Sequence, residues 1–174
     1  MKGRSRSSST QIKRSKIALG STPPVKQPHK SVLVIRRARS SDAARIAELS
    51  GELGYLATAK EISQRMRKLR AGAANALFVA EAPDSGIVGW THVSVTHLVE
   101  TGTRAELNGL VVTDGQRSLG AGARLLAAAE VWARKHGCPS MSVRSNVVRE
   151  RAHAFYEREG YEHYKTQKAF RKDL

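Results

Sequence analysis

Residues 105–126 read AELNGLVVTDGQRSLGAGARLL, and this stretch decides the fold. Its pattern predicts a strand ending at Val112, a polar turn, and a helix that opens over residues 118–122. Gly120 and Gly122 remove two Cβ atoms where the helix begins, so a ligand can approach the free backbone N–H groups of the first turn. Those N–H groups and the positive end of the helix dipole suit a phosphate. Arg117, just upstream, adds a charged fork for phosphate oxygens. A P-loop would end in Gly-Lys-Ser or Gly-Lys-Thr, which is absent here, and a dinucleotide fingerprint would put a third glycine where Leu125 stands. Two readings remain: a pyrophosphate cradle of another kind, or close packing of helix on sheet.

Working outward from that stretch, Val32 to Ile35 form a short apolar run typical of a buried strand. Ser40, Ser41 and Asp42 then start a helix that carries Ala43, Ile46, Ala47 and Leu49 at helical spacing. After a break over 51–55, a second helix is expected over 58–70, using Ile62, Met66 and Leu69. Strands are expected over 77–80, 87–98 and 104–112, with a turn at Pro83-Asp84-Ser85-Gly86 between the first two. The long helix runs to about His136 and stops at Gly137. A short strand over 141–144, a helix over 149–159 stopped by Gly160, and one or two closing strands over 161–170 complete the chain. The order βααβββαβαβ implies an α/β (α+β) domain with a mixed sheet and helices on its faces.

The formal charge of +15 favours anionic partners. Residues 1–30 hold eight Lys or Arg and no acid, so the remaining residues carry +7 of the +15. Rich in Ser, Lys and Arg and poor in periodic apolar content, residues 1–30 are expected to be a disordered basic tail ahead of one folded domain over 31–174. The tail lacks interleaved aromatics, so contact with nucleic acid or another anionic surface would be nonspecific and salt-sensitive. No apolar run approaches the roughly 20 residues of a membrane span. The single cysteine, Cys138, cannot form an internal disulfide, and no signal peptide opens the chain, which points to the cytoplasm. The six histidines and one cysteine show no metal-ligand spacing, so no metal is expected.

Residues 145–161 read SNVVRERAHAFYEREGY. Arg117, Gly120 and Gly122 after a strand of the form E-L-x-x-L-x-V, with Asn146, Ala152, Phe155, Tyr156, Gly160 and Tyr161 following, resemble the two motifs of the GNAT superfamily of acyl-CoA N-acyltransferases. The resemblance spans 36–170 and is closest to its small-molecule amine acetyltransferases, including those acting on aminoalkylphosphonates and aminoglycosides. It implies a central sheet of six to seven strands and acetyl-CoA as co-substrate. Coenzyme A would lie with its pyrophosphate on the backbone of Ser118, Leu119, Gly120, Ala121 and Gly122, near Arg117. Its pantetheine arm would pair like an extra strand with Leu110, Val111 and Val112, and Asn146 would touch that arm or anchor the loop beside it. Many members dimerise, so the resemblance also implies a homodimer.

An amine acceptor has a pKa near 10 and must lose a proton before it can attack a thioester. Glu106, on the strand that ends at the cofactor, resembles the base of several family members and would act directly or through a water. A backbone N–H near Leu110 or Val111 would stabilise the oxyanion. Tyr156 matches the motif tyrosine that returns a proton to the departing thiolate. The family's variable acceptor loop falls at Gly54-Tyr55, which makes Tyr55 a candidate substrate contact. His92 shares a strand face with Ser94 and Thr96, and reads either as substrate lining or as a hydrogen-bonded strand histidine. Cys138 reads as structural. A polycationic aminoglycoside needs several carboxylates, and the chain has 15 acids, many on expected outer helix faces, which favours a small amine that is neutral or carries an anionic group. The alternatives are a protein amino group as acceptor, and a non-catalytic module that senses coenzyme A or binds nucleic acid.

Overall fold

The computed structural model describes residues 33–174, except the side chains of Arg117, Ser118 and Leu119. The basic tail expected over residues 1–30 lies outside the described residues, as does Val32. The elements are β1 (Val34–Arg37), α1 (Ala43–Glu52), α2 (Ala59–Arg70), β2 (Asn75–Ala82), β3 (Gly86–Leu98), β4 (Gly102–Val112), α3 (Ala121–Lys135), β5 (Met141–Val143) and α4 (Glu150–Arg158). The strands lie side by side in chain order, antiparallel from β1 to β4, with β5 parallel to β4. The sheet is therefore mixed, as expected.

It has five strands among the described residues, not six to seven. Residues 161–170, expected to close the sheet, form no strand. Their apolar residues do not alternate: Tyr164 and Phe170 are separated by Lys165, Thr166, Gln167, Lys168 and Ala169, and both rings are exposed. A strand without a regular apolar face has no surface with which to fix a register against a neighbour. The long helix also begins later than the sequence suggests. Asp114–Leu119 is a 3-10 segment, and α3 itself starts at Ala121.

Side-chain alternation on β2 separates two cores. Ala76, Phe78, Ala80 and Ala82 face α3, whereas Leu77 and Val79 face α1 and α2. Leu125 and Leu126 of α3 and Leu49 of α1 are fully buried, each contributing about 1.5–3 kcal/mol. A capping box starts α2: the Thr58 hydroxyl accepts from the Glu61 N–H, and the Glu61 carboxylate accepts from the Thr58 N–H.

One irregularity shapes the site. On β4, Gly109 pairs with His92 and Leu107 with Val93, so Asn108 is an extra residue in a bulge. The bulge shifts the pleat by one. Leu107 and Leu110, three residues apart, therefore both pack on the α3 side. The ladder between β4 and β5 covers Ala105, Glu106 and Leu107 only. Beyond it, residues 108–111 meet no strand on that side among the described residues, which leaves backbone free at the centre of the sheet.

Candidate active site

Gly120 shapes the turn into α3. This residue precedes α3 in the left-handed conformation, at φ 68° and ψ 15°, which a side chain would strain. A Cβ built there meets nothing within 4 Å, so the space beside it is open. The first intrahelical bond runs from the Arg124 N–H to the Gly120 carbonyl at 3.1 Å, so the N–H groups of Ala121, Gly122 and Ala123 precede it. Gly122 has a different role. A Cβ there would lie 3.4 Å from the Phe155 ring, in ordinary van der Waals contact, so α4 packs closely on the start of α3. Open space thus lies beside Gly120 and close packing beside Gly122.

Glu106 is buried and held by three neighbours. The Ser142 hydroxyl donates to Oε2 at 2.7 Å, the Arg104 guanidinium reaches Oε2 at 3.6 Å, and Arg144 Nε lies 3.2 Å from Oε1. The arrangement follows from register: Glu106 pairs with Ser142 across the parallel ladder, and Arg104 and Arg144 stand two residues along on each strand. Ser94 pairs with Glu106 on the other side. The Asn108 amide donates to the Ser94 hydroxyl at 2.8 Å. His92 lies on the same face and shares a 3.1 Å hydrogen bond with Asn75. Burial lowers the His92 pKa below the usual imidazole range. His92 thus has the hydrogen bond expected of a strand histidine.

A cleft of about 1610 Å³ opens beside β5, lined by Arg104, Ser142, Arg144, Asn146, Tyr156 and Tyr55 and by residues 159–169; Glu106, Leu110 to Val112, Gly120 and Gly122 do not line it. It thus brings together the partners of Glu106, the motif tyrosine and the α1–α2 loop. Tyr156 packs edge-on between Phe155 and Tyr161, at ring distances of 5.2 and 5.8 Å. Burial pushes its hydroxyl above the usual phenol range, partly offset by the Arg149 charge. Asn146 anchors its loop: its side-chain oxygen accepts from the Val148 N–H, and its carbonyl accepts from the Arg149 N–H. Tyr55 is exposed on the α1–α2 loop. The Arg149 guanidinium, just before α4, donates to the Leu53 carbonyl at the start of this loop.

The acetyltransferase (GNAT) family model matches residues 43–161. The chain belongs to the GNAT acetyltransferase family. An aminoglycoside N(6')-acetyltransferase from Stenotrophomonas maltophilia is 33% identical over 136 residues, 76% of this chain and 88% of the relative. A second aminoglycoside N(6')-acetyltransferase, from Klebsiella aerogenes, is 26% identical over 81% of this chain and 97% of its own length. Among solved structures, the aminoglycoside N-acetyltransferase AAC(6')-Iy in complex with coenzyme A superposes with a TM-score of 0.76 at 20% identity, covering 85% of this chain and 99% of that one. Glucosamine-6-phosphate N-acetyltransferase from Arabidopsis thaliana gives 0.71 at 22% identity, covering 82% and 99%. These last two share the fold.

The protein is thus an acyl-CoA-dependent N-acetyltransferase with acetyl-CoA as its co-substrate. No group of residues suited to a metal occurs among the described residues, and no helix there is long and apolar enough to cross a membrane. Cys138 is buried, and burial pushes its thiol up, as suits a structural cysteine of this acetyltransferase. Sequence reasoning missed Arg104, Ser142, Arg144 and Arg149. Arg104 had a usable signal, since it lies two residues before Glu106 on one strand face. Ser142 and Arg144 had none, because only the parallel register brings β5 beside Glu106.

Proposed function

We propose that the protein moves the acetyl group of acetyl-CoA to the primary amine of a small molecule, with Glu106 as base and Tyr156 as acid. The observation that carries this is the position of Glu106: a buried carboxylate where the β4–β5 ladder stops, beside backbone that no strand covers. The cradle fits the co-substrate, since Gly120 leaves open space before three N–H groups that precede the helix ladder. Ser118 to Gly122 would hold the pyrophosphate, and the backbone of Leu110 to Val112 would receive the pantetheine arm. Bound there, acetyl-CoA supplies an acetyl group already activated as a thioester.

The residues then divide the proton work. Glu106 takes a proton from the ammonium directly or through one water, while Ser142 fixes the carboxylate's orientation. The N–H groups near Leu110 and Val111 donate to the carbonyl oxygen as it gains charge. Tyr156, protonated well above neutral pH, has a proton to give to the leaving thiolate. The aminoglycoside N(6')-acetyltransferase relative at 33% identity supports a small-molecule acceptor over a protein one.

The test is release of free thiol from acetyl-CoA across a panel of amines. Turnover with a small amine is expected, with kcat lowered about 10²–10⁴-fold in Glu106→Gln and in Tyr156→Phe. Unchanged kcat in either variant would remove that residue from the mechanism.

A further inference from the structure

The electrostatics of the face around Glu106 point beyond an amine alone. Resting on the acetyltransferase reading, we propose that the acceptor carries an oxyanion as well as its amine, and that Arg144 and Arg104 bind this oxyanion beside Glu106. Arg104, Glu106, Ser142 and Arg144 share one face of β4 and β5, with two guanidiniums against a single carboxylate. Arg144 gives Glu106 only its Nε, and its side chain is 81% exposed. The terminal nitrogens of its fork have no protein partner among the described residues, which leaves an edge shaped for two oxygens of a phosphate, phosphonate or carboxylate. Arg104 is the more buried of the two, and its Nε is a buried donor without a hydrogen-bond partner. The Ser145 hydroxyl, next along the chain from Arg144 and lining the same cleft, is also buried and unpartnered. The open Arg104 Nε beside Glu106, with the exposed fork of Arg144 on the same face, marks a place for an acceptor of hydrogen bonds.

The rest of this face adds no negative charge. Ser94, Asn75, Asn108 and His92 complete it, and none is an acid. The other carboxylates of the cleft lie on α3, on α4 and beyond it. Of these, Glu130 already pairs with Arg134 and accepts from the Tyr161 hydroxyl. A polycation could place one ammonium on Glu106, but its neighbouring ammonium groups would meet Arg104 and Arg144. A zwitterionic amine satisfies both signs at once.

The experiment uses matched amines with the full-length enzyme and acetyl-CoA: ethanolamine against O-phosphoethanolamine, glucosamine against glucosamine 6-phosphate, propylamine against β-alanine, and kanamycin alone. The anionic member is expected to win by at least tenfold in kcat/KM in the phosphate pairs. An equal advantage for β-alanine extends the site to carboxylates. Arg144→Gln is expected to erase the ratio within each pair while leaving the KM for acetyl-CoA unchanged. Arg104→Gln should reduce the same ratio, and a ratio is insensitive to a general loss of active enzyme. Equal turnover within the pairs, or kanamycin as the best acceptor, overturns the inference and leaves the acetyltransferase reading standing. No thiol release with any amine overturns both.

Discussion

Arg149, the residue that precedes α4, donates from Nη2 to the carbonyl of Leu53 at 2.8 Å, although 96 positions separate them in the chain. This bond ties the loop after α1, which carries Tyr55, to the helix that carries Tyr156. The same end of the loop is fastened a second time, because the Thr113 hydroxyl just after β4 donates to Glu52, the last residue of α1, at 3.0 Å. The start of the loop that carries Tyr55 is thus tied both to the residue before α4 and to the end of β4. A hydrogen bond of this kind contributes about 0.5–1.5 kcal/mol net. Arg149→Gln should therefore lower kcat/KM for the acceptor by roughly threefold to tenfold, through KM, with the KM for acetyl-CoA unchanged. Steady-state kinetics with each substrate varied in turn will check this, and equal losses for both substrates would contradict it.

The two glycines of the cradle separate in their response to a single methyl group. Gly120→Ala adds no clash, yet forces alanine to φ 68°, which costs about 1–3 kcal/mol. A loss of 1 kcal/mol lowers Tm by roughly 2–4 °C in a protein of this size. Calorimetry should show that fall, together with weaker binding of coenzyme A, because the N–H groups of the first turn move with the backbone. Gly122→Ala keeps a helical backbone and sets its Cβ in ordinary contact with Phe155, so it should change Tm little.

Asp42 makes stability depend on acid. Burial alone would raise its pKa, but the Arg36 guanidinium at 2.7 Å and the Arg39 N–H at 2.6 Å reverse this and hold it below the usual carboxylate range. A depressed folded pKa means that the contribution is fully present above the ordinary aspartate pKa of about 3.9 and is lost as pH falls through the lower folded value. Asp42→Asn should therefore be less stable than the parent protein at pH 7, by about 1–3 kcal/mol. The gap should narrow below pH 4. Denaturant midpoints at pH 7 and pH 3 will decide, and a gap that widens in acid would contradict the assignment.

Much of the domain was legible residue by residue. The spacing of Ile62, Met66 and Leu69 placed α2, and Gly137 marked the end of α3, because both signals depend only on neighbours within a few positions. The closing strand over 161–170 failed for the complementary reason. A strand needs a partner and an apolar face, and local composition supplies neither. The late start of α3 has a similar origin: the 3-10 turn Asp114–Leu119 and a helix share nearly the same local preferences.

By itself the sequence determined the family and the need for glycine at the turn into α3. Only glycine takes the Gly120 conformation without strain, and the two motifs stand in their order on the chain. The tertiary structure decided what the site does with charge. Glu106 meets Ser142 and Arg144 because β5 lies parallel to β4 in one register, and a shift of β5 by a single residue would turn Ser142 and Arg144 to the other face. Local conformation depends on residues a few positions apart. The charge around a carboxylate depends on which distant residues the sheet sets beside it.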